Sequence, residues 1–212
     1  MKTLVVPVNA TAPEPAAVQQ AVGVLKRGGL VAFPTDTLYA LGADALSPEA
    51  IERVLSVKGR QRGKPLSVLV PSVEVARSLA RDTSDRVWSM AAACWPGALT
   101  IVVPASAKLP PVLTGAGTVG LRLPGGPVAA AVLAAFGGPV IGTSANKSGA
   151  ADPADAKTVQ RAVGGLIDLL LDGGRVVLGV PSTVLDCTHE PARILREGAV
   201  PRARLTALIP LA

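Results

Sequence analysis

The chain has 212 residues, 49% of them hydrophobic, which is enough for one sizeable core and too apolar for a disordered chain. Its 21 basic and 15 acidic residues leave a formal charge of +6, which points to an anionic partner: a nucleotide, a phosphate or RNA. Only 2% of the residues are aromatic, which argues against the stacked-ring platforms of single-stranded RNA readers and favours a compact phosphate pocket.

In chain order, Thr3–Val8 reads as a first strand and Glu14 to Arg27 as a helix with Ala17, Ala21, Val24 and Leu25 on one face. Gly28-Gly29 stops that helix, and the uncharged run Leu30–Phe33 reads as a buried strand. Pro34 ends the strand, and Thr35, Asp36, Thr37 and Tyr39 follow as a cluster of short polar groups where open α/β sheets place ligands. The same cluster also suits an ordinary turn. Ser47-Pro48-Glu49 is a helix start, with Ser47 as N-cap and Ile51, Val54 and Leu55 as the apolar face. That helix runs into Lys58-Gly59-Arg60-Gln61-Arg62-Gly63-Lys64, the densest basic segment of the chain.

Strands are expected at Pro65–Val70 and Ala98–Val103, with helices near Val73–Ala80 and Ser84–Cys94 between them. Gly115–Gly120 matches a dinucleotide fingerprint in spacing only; it leads into a strand end, Leu121-Arg122-Leu123-Pro124, and not into a helix. Pro127–Phe136 reads as a buried helix and Pro139–Ile141 as a buried strand, so the uncharged stretch Leu123 to Asn146 is broken and not a membrane span. Gly142–Pro153 is loop-like, Asp155–Val163 helical, and Leu166–Leu171, Arg175–Leu178, Thr183–Asp186 and Ala192–Leu195 strands. The pattern is α/β (α+β): a single domain over 1–212, core about 14–200, with a twisted mixed parallel and antiparallel sheet flanked by helices. No signal peptide is recognised and the expected compartment is the cytoplasm.

Cys94 and Cys187 have no metal-ligand or disulfide spacing and read as small buried hydrophobes. His189 is the only histidine, which removes His-based metal sites and leaves a triad hydrolase unsupported. The chemistry to expect is positioning and charge neutralisation. Lys58–Lys64 suits phosphates, because Gly59 and Gly63 let backbone approach them; it also suits a solvated helix end. Thr143–Gly149 has the hydroxyls, amide and glycine of a polyphosphate or ribose cradle, and equally those of a surface loop. Arg122, between apolar neighbours, holds either a substrate carboxylate or a structural ion pair.

Seven segments, FPTDTLYALG, KGRQRGKPLSVLV, WPGALTIVV, GLRLP, GTSANKSG, PSTVLD and ILREG, occur here in the order seen in the YrdC-like threonylcarbamoyl-AMP synthases, which the chain resembles from about Leu25 to Val200. The two-part signature of that family stands as Lys58/Arg60 and Ser144/Asn146. The resemblance implies a twisted sheet with a concave basic cavity. It further implies synthesis of threonylcarbamoyl-AMP and pyrophosphate from L-threonine, bicarbonate and ATP with Mg²⁺, and delivery of the product to a tRNA threonylcarbamoyl transferase complex.

By matching position, Thr35, Ser67, Arg122, Gly142 and Ser182 line the threonine pocket, with Tyr39 closing one wall. Lys58, Arg62, Thr118, Ser144, Asp152 and Arg196 hold ATP, with Arg60 and Asn146 beside them. Ala40 stands where the family has glycine, so a small backbone adjustment is expected there. The C-terminal domain of longer relatives is not recognised, and any lid is expected from Lys58–Lys64 or Ser148–Asp155. Competing readings are a double-stranded RNA or tRNA binder without ATP turnover and, more remotely, a hydrogenase-maturation carbamoyl transferase, whose companion modules are not recognised here.

Overall fold

The computed structural model describes residues 2–60, 66–115 and 117–212. The described strands form two ladders. In the first, β1 (Leu4–Pro7) pairs parallel with β9 (Leu169–Asp172), and β9 pairs parallel with β2 (Val31–Pro34). β2 then pairs antiparallel with β3 (Tyr39–Gly42), and β3 with β8 (Thr143–Ser144). The second runs β11 (Arg193–Arg196), β10 (Thr183–Asp186), β5 (Leu99–Pro104), β6 (Thr118–Arg122), β4 (Ser67–Leu69) and β7 (Val140–Ile141). Within it β10 is parallel to β5 and β4 to β6, whereas β5 and β6 are antiparallel. The expected mixed sheet is therefore present as two ladders, joined where β7 passes through Gly142 into β8.

β2 is uncharged because both of its faces are covered, as in buried strands of α/β folds. Val31 and Phe33 pack with the helices α1 (Pro15–Lys26) and α6 (Pro127–Phe136), whereas Leu30 and Ala32 enter the larger core with α2 (Pro48–Lys58). β9 repeats the pattern, Leu169 and Leu171 on one side and Leu170 on the other. The N-cap of α2 is as expected: the Ser47 hydroxyl accepts from the Ala50 amide at 3.2 Å, ahead of Pro48. α3 (Val73–Leu79) and α4 (Asp85–Cys94) close the core side of the second sheet, and Asp155 caps α7 (Ala156–Val163).

Tyr39–Gly42, not among the strands expected from the sequence, returns as β3 beside β2 after the polar cluster that follows Pro34. The strand expected at Arg175–Leu178 is corrected: it pairs with no strand among the described residues, and the amides of Leu178 and Gly179 instead bond the carbonyls of Asp36 and Thr37. The C-terminal tail contains a short helix, α8 (Arg202–Thr206), anchored by buried Leu205.

Candidate active site

The second sheet has one dry face and one wet face, and strand alternation makes both. Leu99, Ile101 and Val103 of β5, with Val119 and Leu121 of β6, point into the core. Their alternates Thr100, Val102, Thr118, Gly120 and Arg122 line a cavity of about 1070 Å³. Ser67 and Leu69 of β4 and Val184 and Asp186 of β10 extend the same floor. Gly120 makes room for it: a Cβ there would lie 3.1 Å from Ser67 Oγ and 3.2 Å from Thr100 Cγ2.

The walls come from the end of α2 and the segment after β8. Gly59 adopts φ +59, which only a glycine takes without strain, and turns the chain directly after Lys58 so that the Arg60 amide bonds the Leu55 carbonyl. Lys58, 4% exposed, then points across the cavity wall. Its ammonium donates to the carbonyls of Ser144 (2.6 Å) and Asn146 (2.8 Å) and to Asn146 Oδ1 (3.1 Å). The Ser144 hydroxyl donates to Asn146 Oδ1, and Asn146 Nδ2 to the carbonyls of Ala150 and Ala151. The two halves of the signature are thus one hydrogen-bonded unit that shapes the 144–151 segment. Burial, with Arg60 adding to it, pulls the Lys58 pKa down from 10.5 to about 8, against the pull of Asp152.

At the opposite rim, Arg196 donates to the Ser182 carbonyl through Nη2 (2.7 Å) and Nε (3.2 Å), and to Ser182 Oγ. Ser182 Oγ lies 2.9 Å from Thr100 Oγ1. Burial lowers the Arg196 pKa, and Asp152 opposes that too. Among the described lining residues are four cations, Lys58, Arg60, Arg122 and Arg196, and two carboxylates, Asp152 and Asp186.

Of the residues expected at the site, Lys58, Arg60, Ser67, Thr118, Arg122 and Gly142 line this cavity, as do Ser144, Asn146, Asp152, Ser182 and Arg196. Arg62 lies outside the described residues. Thr35 and Tyr39 are not among the lining residues. The Thr35 hydroxyl is turned to the Leu38 carbonyl at 2.7 Å. Tyr39 is fully buried, and its phenol donates to the Gly174 carbonyl (2.7 Å) and accepts from the Gly173 amide (3.1 Å). Burial pushes that phenol's pKa upward, so it stays protonated. Ala40 needs no adjustment, because it lies in β3 paired with Phe33 and Ser144 and its φ is not positive. Thr100, absent from the expected set, is buried on the wet face; its signal was a hydroxyl within the apolar run ALTIVV.

Arg122 forms the buried ion pair, with Asp36, and it also lines the cavity.

The fold is thus a mixed α/β one in which a single sheet face brings cations and hydroxyls together around one cavity. A family model named for Sua5, YciO and YrdC, and described as telomere recombination, matches residues 23–198, and the chain belongs to that family. It is 38% identical over 190 residues to the threonylcarbamoyl-AMP synthase of Pyrococcus abyssi (strain GE5 / Orsay), covering 89% of this chain and 56% of that protein. It is 36% identical over 174 residues to the threonylcarbamoyl-AMP synthase of Halorhodospira halophila (strain DSM 244 / SL1), covering 81% of this chain and 91% of that protein. The crystal structure of P. abyssi Sua5 complexed with L-threonine superposes with a TM-score of 0.94 at 35% identity, over 99% of this chain and 63% of that one. The chain thus spans little more than half the length of its P. abyssi and Bacillus subtilis relatives, 56% of each. No helix among the described residues is long and apolar enough to cross a membrane.

Proposed function

We propose that this chain makes L-threonylcarbamoyl-AMP and pyrophosphate from L-threonine, bicarbonate and ATP, in the cytoplasm. The supporting observation is convergence: Lys58, Arg122, Ser144 and Arg196, scattered along the sequence, line one cavity. The relatives' names and the threonine complex point the same way.

In this reading the neutral threonine amine attacks bicarbonate carbon and water leaves, giving a carbamate. A carbamate oxygen then attacks the α-phosphorus of ATP, and the P–O bond to pyrophosphate breaks. Negative charge grows on the phosphoryl oxygens and on the leaving group. Cations and N–H donors held in advance stabilise that charge best, and no strong base is needed once the carbamate has formed. Lys58, Arg60 and Arg196 supply positive charge to the phosphates, Ser144 and Thr118 supply hydroxyls, and Asn146 holds the Lys58–Ser144 unit in shape. Arg122 faces the threonine carboxylate with the N–H groups it has left, and Ser67, Gly142 and Ser182 complete the amino-acid end.

The donor set suits a Mg²⁺ that arrives on the nucleotide, where it would offset phosphate charge. Asp152 is the carboxylate that acts on both Lys58 and Arg196, and no group of three or more ligating side chains occurs among the described residues. The product would pass to a tRNA threonylcarbamoyl transferase.

A flat RNA-binding face is the competing reading. Cations from a helix end and from strand ends that line one cavity together with hydroxyls favour the enzyme. The test is pyrophosphate release by purified protein with Mg²⁺ and ATP. Release that requires both threonine and bicarbonate is expected; ATP turnover indifferent to either sinks the assignment.

A further inference from the structure

Arg122 is 6% exposed, and three residues from two segments of the chain grip it. Its Nε donates to the Gly97 carbonyl at 2.9 Å, Nη1 to Thr37 Oγ1 at 2.8 Å, and Nη2 to Asp36 Oδ1 in a short ion pair. A guanidinium has five N–H groups in a fixed fork, so these contacts use three and leave one on each terminal nitrogen.

The gripping residues are themselves fixed. Asp36 Oδ1 also accepts from the Gly125 amide at 3.2 Å. The backbone of Gly126 lies so close that a Cβ there would be 2.8 Å from the Asp36 nitrogen. The carbonyls of Asp36 and Thr37 accept from the amides of Leu178 and Gly179, at 3.1 and 3.0 Å. Thr37 is 2% exposed, and neither Asp36 nor Thr37 lines the cavity. Such a rigid carboxylate–hydroxyl pair behind a cavity arginine has a clear consequence: it sets which way the two free N–H groups can point.

We infer that Asp36, assisted by Thr37, is a positioning residue that aims Arg122 at the carboxylate of the amino-acid substrate. The inference rests on the activity proposed above. In this role Asp36 acts through Arg122 and not on the substrate itself. It offsets the charge of Arg122 and holds the plane of the guanidinium, on which two-point recognition of a carboxylate depends. Asp36 should therefore matter to threonine and not to ATP, whose cations Lys58 and Arg196 are held by other partners.

The test uses the full chain with D36N and T37V, both close in shape to the native residues, at a temperature where melting curves show each variant folded. Threonine affinity is expected to fall roughly tenfold in D36N, about what one charge-assisted hydrogen bond is worth, and less in T37V. The ATP dissociation constant should stay within about twofold of wild type, a split that general loosening of the fold does not produce. Folded D36N that binds threonine like wild type, or that loses threonine and ATP equally, overturns the inference. A crystal structure of D36N without substrate separates this from the activity itself: a rotated Arg122 supports the positioning role, and an unmoved one refutes it. Wild-type protein that fails to bind threonine counts instead against the activity.

Discussion

Lys58 offers the sharpest test of how the cavity works, because its charge is poised. Burial brings its pKa to about 8, so near pH 7 most molecules carry the ammonium and its three short bonds to Ser144 and Asn146. At pH 9 only about one molecule in ten keeps it. If that charge serves the nucleotide phosphates, ATP affinity falls by up to about tenfold per pH unit above 8, and ATP binding at pH 8 takes up a fraction of a proton. The folding side has its own sign. Between about 8 and 10.5 the unfolded chain holds this proton and the folded chain does not, so stability rises with pH across that window. Below about 8 both states are protonated, and the full cost of burying the charge, on the order of 3 kcal/mol, is present. Calorimetry of ATP binding in two buffers of different ionisation enthalpy measures the proton uptake, and urea melts from pH 7 to 10 measure the slope. In K58M both signals disappear, while amide exchange in 144–151 speeds up because three acceptors lose their donor. Equal proton uptake by wild type and K58M refutes the reasoning.

Three further outcomes follow from the geometry. Y39F loses both phenol bonds to the 173–174 segment and is expected to lower stability by ~1–3 kcal/mol in urea titrations, with threonine affinity within about twofold of wild type; a large threonine defect would restore Tyr39 to the pocket wall. G142A places a Cβ 2.2 Å from Leu69 Cγ between β4 and the cavity, and overpacking there costs ~1–3 kcal/mol of stability by the same titration. R196K cannot reproduce the forked hold on Ser182, and ATP affinity should fall roughly tenfold in direct binding measurements, with threonine affinity changed less.

Much of the architecture was legible locally. Ser47-Pro48 announces α2 because an N-cap and its first turn involve only neighbouring residues. The uncharged run of β2 announces a strand covered on both faces, and six of the seven ordered segments supply lining of the cavity. The hairpin return of Tyr39–Gly42 was not legible, because Tyr39 stands among polar site-like residues and its phenol is satisfied by glycines 134 and 135 positions away. Arg175–Leu178 has strand-like composition, yet the Val176 amide goes to the Ala154 carbonyl and the Leu178 amide to the turn after β2, not to a ladder.

What the order of residues carried alone, then, was the set of elements and the kinds of group available for chemistry: periodicity and capping act over a few residues. Partnership was settled only in three dimensions. Whether Arg122 meets Asp36, 86 residues away, and whether Lys58 meets Ser144, 86 residues away, depends on how strands from distant parts of the chain come into register. Alternation along β5, β6 and β4 then turns one face to the core and leaves the other to hold a ligand.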